Sequence, residues 1–157
     1  MTGALAPEDI LARLQRLDPK LRRKHYYGEQ ALFYNPGDTA PLGVIFASIK
    51  DHDGPNDRRA ELSRPGVYRL AFGLTPETFA KRFGAIPERP RKGEVVALPS
   101  WDLTCIEVLM PHPVYAWMSW VQILSPTRAS FDSLRPLLAE SLEAATRKWE
   151  KRNASPR

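Results

Sequence analysis

Cysteine is nearly missing. The single thiol, Cys105, excludes an internal disulfide, and its neighbours Thr104 and Ile106 give it no metal-ligand spacing, so a buried, inert thiol is expected. Histidine is almost as scarce: with three in the chain, a zinc site would depend heavily on carboxylates. No segment approaches the roughly 20 apolar residues of a membrane span, and no apolar run of signal-peptide length opens the chain. The expectation is a soluble, cytoplasmic protein with no membrane partner. A Gly-rich phosphate loop, a nucleophile elbow and paired-metal spacing are all missing, as are internal repeats and low-complexity segments. No catalytic constellation can be assembled from what remains. Binding or interaction is therefore favoured over catalysis, with no cofactor and no metal expected.

What is present is ordinary globular material. The 157 residues are 43% hydrophobic and 26% charged, which suits one domain with a core over about residues 7–150 and a charged C-terminal tail. A net charge of +5 permits attraction to nucleic acid or an anionic surface without requiring it.

The chain is organised around residues 109–124, which hold one histidine and two of the four tryptophans. Pro111 and Pro113 fix their own φ and push Met110 and His112 out of the helical region, so the His112 imidazole should project from a stiff segment. A preorganised group loses little entropy on binding, although a Pro turn also serves simply to redirect the chain. Residues 118–124 read as a strand with Met118, Trp120, Gln122 and Leu124 on one face. Trp120 is expected in the core and Trp117 as a half-exposed platform beside Tyr115. A histidine bonded to turn backbone is the structural alternative for His112.

Elsewhere, residues 7–17 have the pattern of an amphipathic helix. Pro7 suits its first position, Glu8 and Asp9 its positive end, and Ile10, Leu11, Leu14 and Leu17 its buried face. The basic run Lys20, Arg22, Arg23 and Lys24 reads as a solvated face or, beside Tyr26 and Tyr27, as a phosphate-and-stacking surface. Residues 31–34 and 42–50 read as strands joined through a Pro36-Gly37 type II turn.

The polar loop 51–57 places Asp51 and Asp53 around His52. Its calcium-loop spacing fails, because Gly54 comes too early and no carboxylate closes the loop, which leaves a solvated loop with Asx turns. Residues 66–73 alternate as a strand with Tyr68, Leu70 and Phe72 inward, so Arg69 projects from the opposite face. There it is either a candidate anchor for a carboxylate or phosphate, or an ordinary exposed arginine.

A helix over 75–83 carries its own punctuation: Thr75 as cap, Pro76 at the start, Phe79 and Phe83 on one face, and Gly84 at the end. The connection that follows holds Arg89, Arg91 and Lys92, a second basic cluster able to meet a polyanion. Residues 95–98 and 105–109 read as short strands or extended segments. A last helix from about Ser133 places Pro136 in its first turn and buries Leu134, Leu137, Leu138, Leu142, Ala145 and Trp149; a start at Ser130 would require a kink. The tail from Lys151 onward is expected to fray. Helix, strands, helix, strands and helix imply an α+β fold: an antiparallel sheet with helices packed on one face and the other face open to water, ligand or partner.

Several stretches together resemble a bacterial family of uncharacterised proteins, domain of unknown function 6194. They are Tyr27-Gly28 before Leu32-Phe33-Tyr34, Ile49-Lys50-Asp51, residues 62–70, and above all the 109–115 segment running into Trp120 and Ser125-Pro126. The resemblance runs from Ile10 to about Arg152 and implies no activity. More distantly, the strand 120–124 and the helix 133–151 are similar to the MmcQ/YjbR proteins, small α+β domains of CyaY-like arrangement often labelled DNA-binding.

Three functions stay open. The first is a nucleic-acid-binding module using the two basic clusters, which requires that they share a face. The second is a small-molecule-binding protein or enzyme whose pocket at the Pro-His-Pro turn would use His112, Tyr115 and Trp117, with charge from Arg69 or from Asp51 and His52. The third is a homodimer built on the open sheet face.

Overall fold

The computed structural model describes residues 3–154. Helix α1 spans Pro7–Gln15, with Pro7 at its start, two acids in its first turn, and Ile10, Leu11 and Leu14 buried. The helix stops before Leu17, which is 40% exposed rather than part of the buried face.

From Leu21 the basic run forms strand β1, Leu21–Tyr26, with Lys20 and Arg23 exposed and Arg22 and Lys24 half-buried. It forms a hairpin with β2, Glu29–Tyr34, through a two-residue turn in which Tyr27 (φ 50°) and Gly28 (φ 77°) are both left-handed. β1 is an edge of the sheet, where lysine and arginine discourage pairing with another chain. Gly37 (φ 69°, ψ 4°) takes the position a type II turn reserves for glycine, before β3 runs over Val44–Lys50. A bulge leaves Phe46 as the extra residue between the Leu32–Ala47 and Phe33–Ile45 pairs. β4 is Arg69–Gly73, shorter at its start than its apolar alternation suggested.

Helix α2, Pro76–Phe83, is built as its signals require. The Thr75 hydroxyl accepts from the Thr78 amide at 3.2 Å, and Gly84 ends the helix at φ 88°. Residues 95–98 and 105–109 are not strands, because no neighbour pairs with them apart from one isolated parallel bridge, Ile106 to Leu124. β5 is only Met110–Pro111, where proline's missing amide limits the ladder, and β6 is Trp120–Leu124.

Two helices follow. α3, Arg128–Ser133, is capped by Thr127, and α4, Arg135–Arg152, starts with Pro136 in its first turn. The break at Leu134 is the kink that a continuous helix through Pro136 would have needed. α4 continues through Arg152, so fraying does not begin at Lys151, and residues 155–157 lie outside those described.

The six strands form one antiparallel sheet in the order β1-β2-β3-β4-β6-β5. Paired residues project to the same side, so the register assigns the two faces. Leu32, Ala47, Leu70, Phe72, Val121 and Ile123 share the core face. Ile10, Phe79, Leu138 and Ala145 from α1, α2 and α4 join them in one apolar cluster, and α4 lies against β2, β3 and β4. The opposite face carries Tyr26, Glu29, Phe33, Ile45, Ser48, Lys50, Arg69, Trp120 and Gln122. Loops rather than helices cover part of it, and what they leave uncovered is the candidate site.

Candidate functional site

Pro111 and Pro113 stiffen the segment between β5 and β6, and the rest of the turn is built around His112. Its amide donates to the Trp120 carbonyl at 3.0 Å, and its carbonyl accepts from the Ala116 amide at 3.1 Å. The ring is buried, and its Nδ1 accepts from the amides of Val114 (3.0 Å) and Tyr115 (3.1 Å). An atom that accepts two N–H bonds carries no proton, so the single ring proton of the neutral imidazole sits on Nε2.

Burial, with the Arg69 guanidinium and then the Lys50 ammonium nearby, holds the ring's pKa well below its usual value, and Asp57 opposes this only in part. Protonating Nδ1 would also turn that N–H against two others. His112 is therefore a neutral donor with a fixed tautomer. The bland expectation, a histidine bonded to turn backbone, holds for one nitrogen, while Nε2 has no protein partner among the described residues.

His112 and Tyr115, with ring centroids 5.1 Å apart, border a hollow of about 270 Å³ on the loop-covered side of the sheet. Its other walls come from distant stretches: Tyr26, Tyr27 and Glu29 from the first hairpin, Ile45 and Ser48 from β3, and Met118 and Trp120 before and in β6. Trp120 is not in the core. Its indole lies so close over Gly73 that a Cβ there would stand 2.8 Å from Nε1, which explains glycine at the end of β4. The Ser48 hydroxyl donates to Glu29 at 2.7 Å and orients the carboxylate as an acceptor at the rim. Tyr26 is held by edge contacts with Phe33 at 5.3 Å and Tyr27 at 4.5 Å. Tyr27 is 84% exposed at the mouth.

Next to this hollow the same face is closed. Arg69, expected to project free, is 1% exposed and forks onto Asp57, with Nη1 3.0 Å from Oδ1 and Nη2 on Oδ2. Lys50 reaches the same carboxylate at 3.0 Å, and Arg69 Nη1 also lies 3.4 Å from the Gln122 oxygen. Burial alone would raise the Asp57 carboxyl, but Arg69 and Lys50 overcome it and hold the carboxyl far below the carboxylate range. Arg69 is thus saturated by protein, apart from Nε, which is buried without a partner among the described residues.

Asp51 and His52 pair with each other at 3.0 Å in the exposed loop and do not line the hollow. The residue of that loop that reaches the sheet is Asp57. Trp117 also stands apart: the Arg89 guanidinium lies over its ring at 4.6 Å.

The basic clusters lie on different elements, one at β1 and one in the connection after α2. Arg23 pairs with Glu8 at 2.6 Å and Lys24 with Asp38 at 3.2 Å on edge strand β1, while Arg22 donates to the Pro19 carbonyl and the Lys20 amide to Asp18. The second cluster sits near the opposite edge, with Arg89 on Trp117 in the β5–β6 connection and Lys92 beside Arg58 and Arg59. Among the described residues no three His, Cys, Asp or Glu side chains gather as metal ligands, and no helix is long and apolar enough to cross a membrane. Cys105 is half-buried rather than fully buried, and its contact with Asp102 raises the thiol's pKa.

Glu29, Ser48 and Trp120 were not identified as site residues from sequence, and Tyr26 only as part of a phosphate-and-stacking surface. The usable signals were the tyrosine pair at a hairpin tip and the alternation that puts Trp120 beside Gln122. The family model described as "Family of unknown function (DUF6194)" matches residues 5–154, and the chain belongs to that family. No curated protein and no solved structure matches it.

Proposed function

We propose that this member of a family of unknown function binds a small planar molecule presenting a carbonyl beside an N–H, such as a heteroaromatic lactam or amide. The observation that carries the reading is the His112 ring, whose Nδ1 is occupied by two backbone amides so that Nε2–H is the donor left for a ligand. A neutral imidazole donor suits a carbonyl oxygen and, unlike imidazolium, does not demand an anion. Glu29, fixed by Ser48, supplies an acceptor for the ligand's N–H, and Tyr26 and Trp120 supply faces on which a flat ring stacks. No catalysis is assigned: the arrangement holds and orients. The basic clusters lie on different elements, and Arg23, Lys24 and Arg89 are engaged by Glu8, Asp38 and Trp117, so the nucleic-acid reading has less support than this one.

Titration with uracil and with nicotinamide, followed by Trp fluorescence and by the imidazole nitrogen resonances, tests the proposal. Dissociation constants on the order of millimolar are expected for fragments this small. His112→Asn keeps an acceptor for the Val114 and Tyr115 amides and deletes the Nε2–H, and should weaken binding by roughly fivefold. Failure of both probes to bind, or equal affinity in the variant, overturns the reading.

A further inference from the structure

We propose, resting on that reading, that the natural ligand carries an anionic tail which leaves the aromatic hollow over Trp120 and ends at Lys148 and Arg152. A second hollow of about 320 Å³ adjoins the first and shares Tyr26, Ile45, Met118 and Trp120 with it. It continues over the ends of β3 and β4 to the side of α4. The two differ in charge. Among the described residues, Glu29 is the only Asp, Glu, Lys or Arg on the walls of the first, whereas Lys148 and Arg152 are the only ones on the walls of the second.

Lys148 and Arg152 stand four residues apart on α4, hence on one side of the helix. Neither has an ion-pair partner among the described residues, while their neighbour Arg147 is paired with Glu143 at 3.1 Å. The carboxyl end of a helix carries about half a negative charge, which two full positive charges outweigh. A groove with an acceptor at one end, a hydrogen-bonding aromatic middle and a free cationic end fits a molecule of matching polarity. That molecule is a planar ring with N–H and carbonyl groups joined to a phosphate or carboxylate arm, the chemistry of a nucleoside monophosphate.

A graded series separates the parts: uracil, uridine, uridine 5′-monophosphate and inorganic phosphate, titrated by calorimetry into the full chain at low and near-physiological salt. The monophosphate should bind about tenfold more tightly than uridine at low salt, and salt should erase most of the gain. The paired substitution Lys148→Ser and Arg152→Ser, at exposed positions that leave the core untouched, should bring the monophosphate down to the affinity of uridine. Uracil and uridine bound through His112, with no advantage for the monophosphate, would overturn the tail and leave the ring reading standing. Inorganic phosphate binding as tightly as the monophosphate would show an anion site unconnected to the hollow, and would also overturn it. Failure of uracil and uridine to bind removes the ring reading and this inference with it.

Discussion

Lys50, Arg69 and Gln122 share a sheet face with Tyr26, Ser48 and Trp120, yet the two groups are treated in opposite ways. In the first, the loop carrying Asp57 folds down, and one carboxylate bridges two buried cations. In the second, His112 Nε2 has no hydrogen-bond partner among the described residues, and it borders a hollow together with the Trp120 indole and the Tyr115 ring. Charge is thus a poor guide to function on this face. The buried charges are paired and structural, and the groups proposed to meet a ligand's ring are neutral apart from Glu29 at the rim. The saturated half also conditions the open half, since the cations that Asp57 holds add to burial in keeping His112 unprotonated.

The largest effect is expected from breaking the saturated half. Asp57→Asn leaves Arg69 and Lys50 buried with no counter-charge and should cost about 3–5 kcal/mol, a large share of a typical domain's stability. Glu29→Gln, in the open half, removes an acceptor at a solvated rim and should cost under about 1 kcal/mol while weakening uracil binding. Urea denaturation of the two variants checks the contrast. Equal losses would abolish the distinction between a structural and a ligand-facing half.

Acid should reveal the same division. The folded-state pKa of His112 is depressed, so below its ordinary value of 6.5 the unfolded chain takes up a proton that the native ring refuses. Stability is full above that pH and falls on acidification by up to about 1.4 kcal/mol per unit until the folded pKa is reached. Asp57, also depressed, keeps its contribution through this window and loses it only at far lower pH. A stability profile from pH 7 to 5 should therefore slope in the native chain and flatten in His112→Asn. An unchanged slope in the variant would mean that the ring is not held neutral.

The sequence revealed these two halves unevenly. The α2 signals lie within ten residues of one another, so Thr75, Pro76 and Gly84 could be read directly. The paired prolines likewise marked His112 as rigid. Arg69 was assigned to the correct face by alternation, but its fate depended on Asp57, a loop carboxylate twelve residues away, and loop closure leaves no periodic trace. β1 was hidden because an edge strand rich in lysine and arginine has the same charge pattern as a solvated run. Trp120 was assigned to the core, although its alternation with Gln122 already placed it on the polar face. Glu29 and Ser48 stand nineteen residues apart and meet only through the bulged β2–β3 register.

The smallest effect is the most specific to the open half. Tyr27 occupies the first central position of a two-residue hairpin turn at φ 50°, where asparagine is favoured and an aromatic residue is strained. It is almost fully exposed, so burial does not offset the strain, and its edge contact with Tyr26 is worth only about 0.5 kcal/mol. A strained residue that the core does not use, standing at the mouth of a hollow, is what a ligand contact retained at the expense of stability looks like. Tyr27→Asn should accordingly raise stability by about 0.5 kcal/mol and weaken uracil binding about threefold, because it removes a stacking face and loosens Tyr26. Thermal denaturation and the uracil titration read the two together. Gained stability with undiminished binding would take Tyr27 out of the site, and lost stability would place it with the structural half.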